Sequence, residues 1–155
     1  MLRRADAELN DLLVNTYQNV AKVESCMLTS QQNDLSIAEL HILECVGRGQ
    51  GGSCSISRIA QAMEITLPTV TVAVKRLEKK GYVVKNKDEN DGRVTRVALT
   101  ARGRKMDAAH RYFHENMVRS ITREMSEAEV EELVRILSKL NQYLERKQSE
   151  MSEKQ

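Results

Sequence analysis

His110 and His114 stand four residues apart in "HRYFH", so on a helix both rings leave the same face. Two imidazoles at that spacing can share a transition-metal ion, and Glu24 or Cys26 can add a ligand from an upstream helix. The competing reading of the same residues is a solvated surface pair. Cys26, Cys45 and Cys54 are odd in number and include no CxxC spacing, which points to reduced thiols rather than a disulfide framework. Nucleophilic catalysis finds no support: the sequence has no nucleophile elbow. Its "GRGQGG" segment (47–52) lacks the Lys-Ser/Thr ending of a phosphate-binding loop. The expectation is a protein that is not an enzyme and requires no cofactor.

A second chemistry is spread over the middle of the chain. The formal charge of the 155 residues is only +2, yet 75–111 hold twelve Lys/Arg against five Asp/Glu, leaving about −5 for the rest. A basic centre between neutral or acidic ends is the footprint of a module that binds a polyanion. A lysine-rich solvated helix face would give the same count, so the positioning elements must decide between the two.

Those elements read as mainly helical. Hydrophobic residues make up 41% with only four Tyr, one Phe and no Trp, so the core rests on Leu, Ile, Val and Met. Apolar positions at Leu9, Leu12, Leu13, Tyr17, Val20 and Met27 predict a long amphipathic helix over 5–28. Ser36 with Glu39 forms a capping box for the next helix, which "GRGQGG" ends. Ser55 caps "ISRIAQAM", Thr66 caps "TVTVAVKRLEKK", and Gly81 stops that second short helix. "YVVKN" and "RVTRVAL" predict a hairpin around "KDENDG". Helix resumes after Thr100 and runs to about Glu124, and Ser126 with Glu129 caps the last one, striped by Val130, Leu133, Val134, Leu137, Leu140 and Leu144. Two short helices joined by a tight turn and followed by a hairpin make a winged helix-turn-helix, here a mainly α (α+β) fold. The expected division is a winged module over 35–103, dimerisation helices over 1–30 and 104–148, and a polar tail over 149–155.

At about 100° per residue, Val70, Ala73, Val74 and Leu77 of the second short helix face inward. Pro68, Val72, Lys75, Arg76 and Lys79 face outward, with Thr69 and Thr71 on the flanks and Thr66 and Leu67 at the helix start. Water gives no reason for an outward valine among hydroxyls and cations. A DNA major groove does, because short apolar groups touch thymine methyls while Thr bonds base edges or phosphates. Lys75, Arg76 and Lys79 are placed to meet phosphates. A hairpin beside such a helix reaches the neighbouring minor groove, whose negative potential attracts arginine, and Arg93 is the candidate there. Asp91 would be repelled by phosphate, so its expected role is to accept hydrogen bonds from a nearby Arg and hold the wing in shape.

Together, "SISRIAQAMEITLPTVTVAVKRLEKKGYV" and the wing "DGRVTRVALTARG", with its D-x-R followed by L-T-x-x-G, resemble the MarR family of bacterial transcription regulators. The resemblance covers roughly residues 35–144. It implies a homodimer with interlocked first and last helices and two winged modules reading a pseudo-palindrome in double-stranded DNA. Many members place Arg where this chain has Val72, so base recognition should differ.

The resemblance also implies effectors. Glu24, His41, His110 and His114 resemble the ligand positions of zinc-responsive members, with a packed polar His41 as the alternative. "LSIAELHILECVG", "TVTVAVKRLEKKGYV" and "HRYFHENMV" look like the branch that represses fatty-acid synthesis genes and senses acyl chains on acyl carrier protein. That branch also has the histidine pair. Cys26 matches the peroxide-sensing idea of other relatives, but nothing near it in sequence is strongly basic.

A rival of another class is a helical interaction module whose basic patch meets an acidic protein. No apolar run approaches the roughly 20 residues that span a bilayer, and "MLRRADAELNDLL" resembles neither signal peptide nor anchor. The expected setting is therefore the cytoplasm, with no membrane partner.

Overall fold

The computed structural model describes residues 4–30, 34–88 and 92–152. Helix α1 spans Arg4–Ser30, α2 Ile37–Gly47, α3 Ile56–Met63, α4 Leu67–Lys79, α5 Ala101–Thr122 and α6 Glu127–Ser152. Three short strands, β1 (Ser53–Ser55), β2 (Val83–Lys87) and β3 (Thr95–Leu99), form an antiparallel sheet in the order β1-β3-β2. The chain divides into two compact units, 1–111 and 112–155.

Local chemistry accounts for the helix ends. The Ser36 hydroxyl accepts from the Glu39 N–H at 3.2 Å while the Ser36 N–H donates to the Glu39 carboxylate at 2.9 Å. Ser55 and Thr66 cap α3 and α4, and Ser126 with Glu129 repeats the box before α6. Gly81, at φ 76°, gives the left-handed turn that lets Tyr82 enter the wing after α4. β1 is a strand that the sequence pattern did not mark. α6 runs to Ser152, through the first residues assigned to the polar tail.

The core of the first unit is aliphatic. Leu40, Leu43, Val46, Ile59, Val70, Val74, Leu77 and Val97 are completely buried, and Tyr82 nearly so. The end of α1 and the start of α5 join it: Met27, Leu28 and Met106 are buried there, with Glu24, Asp107 and His110 among them. The winged module thus shares its core with helix segments assigned from sequence to dimerisation. Gly103 marks the tightest approach, since a Cβ there would sit 2.0 Å from the Tyr82 carbonyl oxygen. Gly103→Ala is expected to cost about 3 kcal/mol, because backbone rather than a flexible side chain would have to move. A urea midpoint unchanged from the parent protein would contradict this packing.

Candidate nucleic-acid interface

The two short helices and the hairpin hold the predicted DNA-facing residues in one unit. On α4, Val70, Val74 and Leu77 are buried and Ala73 is half-buried, which fixes the opposite face toward solvent. Thr66, Leu67, Pro68, Thr69, Thr71, Val72, Lys75, Arg76 and Lys79 are all exposed there. Val72 is 49% exposed and Leu67 51%, so the apolar component of this face is real area. Its cations are uncovered, whereas Glu78, on the flank, is taken up by Lys85 of β2 at 2.7 Å.

The exposed hydroxyls at the start of α4 also make bonds within the protein. Thr66 and Thr69 share a hydrogen bond of 2.8 Å, and Thr71 donates to the Leu67 carbonyl at 2.8 Å. With its proton spent on the helix, Thr71 offers a groove a methyl group and an acceptor oxygen. Together with Val72 and Leu67 that makes a patch suited to thymine methyls and base amino groups more than to phosphates. Val72→Ala is therefore expected to change preference at one or two base pairs of a selected duplex by about 1 kcal/mol, with little change on random duplex. Equal losses on both duplexes would argue against base reading at this position.

The wing is set by its register. β2 and β3 pair from Val83↔Leu99 to Lys87↔Thr95, and the Asp88 N–H donates to the Val94 carbonyl at 2.9 Å just beyond the last pair. Arg93 lies in the turn before β3 and is exposed. Asp91, expected to brace the wing, lies outside the described residues. An acid that meets an arginine in the hairpin is Asp88, at 3.0 Å from Arg96. Sequence reasoning passed over both, and the available signal was an arginine in mid-strand between inward Thr95 and Val97.

A polar joint that the sequence did not show ties α4 to its neighbours. The Lys80 ammonium donates to Glu39 at 2.8 Å, and the Tyr82 hydroxyl to Asp34 at 3.2 Å. Arg102 lies 4.2 Å from the centre of the Tyr82 ring and donates to the Lys80 carbonyl at 2.6 Å. Burial works to raise the Glu39 carboxyl, but bonds from Lys80 and Ser36 outweigh it and hold the acid below its ordinary range. The C-terminus of α4 is anchored to the starts of α2 and α5.

A second polar group is the histidine cluster. Glu24, His41 and His110 bring one ligand atom each within 4.8 Å of one another. The Glu24 carboxylate is 3.7 Å from His41 Nε2 and 3.8 Å from His110 Nε2. His110 Nδ1 faces Glu44 at 3.5 Å on the other side of the ring. Burial lifts the Asp107 carboxyl above its ordinary range, against the pull of Arg111. His114 belongs to the second unit, where its ring meets Phe113 edge-on at 5.3 Å. Cys26 is exposed and Cys54 buried; burial, with Cys54 beside it, raises the half-buried Cys45 thiol.

A helix presenting hydroxyl, apolar and cationic groups, beside a hairpin ending in an exposed arginine, defines a winged helix-turn-helix DNA-binding protein. Residues 35–95 match the model of the MarR family. The chain belongs to the MarR family, and comparison with solved structures agrees. Streptococcus pneumoniae FabT, crystallised in complex with DNA, is 32% identical, with a TM-score of 0.82 over 90% of this chain and 96% of that one. A MarR family protein from Bacillus stearothermophilus, 23% identical with a TM-score of 0.76 over 93% of this chain and 98% of that one, shares the fold. The chain is 28% identical to the HTH-type transcriptional repressor MdtR of Bacillus subtilis over 66% of its own length and 65% of MdtR. It thus spans slightly less than two thirds of that relative. No helix among the described residues is long and apolar enough to cross a membrane.

Proposed function

We propose that this protein is a cytoplasmic, homodimeric, sequence-specific transcription repressor that binds a pseudo-palindromic operator and performs no catalysis. The observation that carries the reading is the outward face of α4, where Leu67, Val72 and Thr71 sit beside Lys75, Arg76 and Lys79, with Arg93 on the wing. Groove and phosphate contacts require that mixture, and a solvated face does not. Dimerisation is supported by bare apolar positions. Leu9, Leu12, Leu13, Val20 and Val23 are exposed on α1, and Val134, Leu137 and Leu144 on α6. Stripes of this kind are covered by a second subunit in symmetric oligomers. Two modules related by a two-fold axis then read two half-sites about one helical turn apart.

The test is a duplex selected from a random pool by the purified protein. A palindromic winner, bound with a steep loss of affinity as salt rises, together with a dimeric mass in solution, supports the reading. A helical module for an acidic protein partner would bind all duplexes alike. The finer assignment to fatty-acid synthesis genes, with acyl carrier protein as effector carrier, is supported by the sequence resemblance to that branch and the likeness to FabT. A footprint of bound DNA across a genome tests it directly.

A second reading, zinc responsiveness, is favoured by the histidine cluster. Ligands about 2.1 Å from a tetrahedral zinc are roughly 3.4 Å apart; the two Glu24 separations, 3.7 and 3.8 Å, are close to that, and all three ligand atoms lie within 4.8 Å of one another. Glu24, His41 and His110 would hold the ion, supplying one carboxylate and two imidazoles. The bound cation would tie the end of α1 to α2 and α5.

A further inference from the structure

Arg93 acts on a minor groove only if it is held at the right height, and among the described residues the ladder stops short of it. The last β2–β3 pair is Lys87↔Thr95, and one backbone bond from Asp88 to Val94 follows it. Arg96 lies in the central strand, opposite Asn86 on one side and Ser55 on the other. Its guanidinium reaches both ways. Nη1 donates to the Asp88 carboxylate at 3.0 Å and Nε donates to the Ser53 hydroxyl at 3.1 Å. The Arg96 side chain is only 34% exposed and that of Asp88 16%. One planar group therefore joins the root of the wing loop to the strand that leads into α3.

We infer that Arg96, bridged between Asp88 and Ser53, is a positioning residue for DNA binding that holds the Asp88 end of the wing, and with it Arg93, against the helix-turn-helix without itself contacting the duplex. The inference rests on the reading of the wing as a DNA contact. Its physical content is pre-organisation. A hairpin tip free to swing must be ordered at the moment of binding, which weakens affinity without removing any contact. Arginine suits the task because its fork makes two directed bonds at once, which a lysine ammonium on a flexible stem does not do in the same plane.

Asp88 supplies a test by sign. Asp88→Asn removes a negative charge from a surface that faces a polyanion, so charge alone predicts tighter binding. Loss of the bridge predicts weaker binding. We would measure fluorescence anisotropy on two probes, the selected palindromic duplex and a random duplex of equal length, over a range of salt, with circular dichroism to confirm folding. Asp88→Asn, Arg96→Lys and Arg96→Gln are each expected to weaken palindrome binding roughly five- to tenfold, and the Asp88→Asn, Arg96→Gln double variant no more than either alone. The slope of affinity against salt should stay at the parental value in Arg96→Gln, because no phosphate contact is lost. Ser53→Ala is a milder arm should the charged variants misfold, with a loss of about twofold expected.

Three results would overturn the inference. One is Asp88→Asn binding as tightly as the parent or tighter. Another is Arg96→Lys retaining full affinity, so that charge and not the bridge is what counts. The last is Arg96→Gln lowering the salt slope by about one, which makes Arg96 a phosphate contact. An Arg93→Ala control separates the levels. If that variant loses affinity and Asp88→Asn does not, the bridge fails and the wing reading stands; if neither loses affinity, the wing reading itself fails.

Discussion

Arg93→Ala is expected to weaken binding to the selected palindromic duplex by about 2 kcal/mol, roughly thirtyfold, while the fold stays intact. The residue is exposed and lies beyond the strand ladder, so its removal opens no cavity and the thermal midpoint should hardly move. The loss arises because a narrow minor groove concentrates negative potential and arginine sheds its hydration there at less cost than lysine. For the same reason Arg93→Lys should recover only part of the affinity. In the proposed dimer each duplex would lose two such contacts, one per module. Anisotropy titration at fixed salt decides it. Parental affinity for Arg93→Ala, with parental salt dependence, would take the wing out of recognition and leave α4 to bind alone.

The parts of this molecule that could be read from its sequence are those governed by short-range rules. Ser36 with Glu39, Ser55, Thr66, Gly81 and Ser126 with Glu129 each act on backbone groups within a few residues, and the helix ends follow them. The inward face of α4 follows from a period, and Val70, Val74 and Leu77 are buried as that period requires. β1 escaped because three residues, Ser53, Cys54 and Ser55, are too few to show alternation; their pairing is dictated by β3 more than forty residues later. The same blindness covers the polar joint at Lys80, Glu39, Tyr82 and Arg102, whose members come from α2, α5 and the turn that leads from α4 into the wing. Charge counting found the basic centre. It could not tell which cations were already spoken for, and Arg96 and Lys85 prove to be bound to acids within the module.

Zinc titrated into chelated protein is expected to bind tightly to the parent and to lose that affinity in His110→Ala. His110 is the hub of the cluster, fully buried, with Nε2 toward Glu24 and Nδ1 toward Glu44. The ring has carboxylates on both sides: Glu44, 3.5 Å from Nδ1, favours a proton there, which leaves the Nε2 lone pair for the Glu24 side, where His41 also arrives. Glu44 is placed across the ring from the Glu24 and His41 atoms, so it orients His110 and is not a ligand of the same ion. The two substitutions should then differ in degree. Glu44→Gln keeps the shape and an acceptor but not the charge, and should weaken zinc by roughly tenfold, within the range known for such supporting partners. His110→Ala removes a ligand from a set of three and should cost well over a hundredfold, beyond that range. His114→Ala, read beside them, tells whether the second histidine of the pair takes part. Competition with a chromogenic chelator measures all three without reference to DNA. Should His110→Ala bind zinc as the parent does, the cluster is a packed polar joint between α1, α2 and α5, and zinc control has no site there.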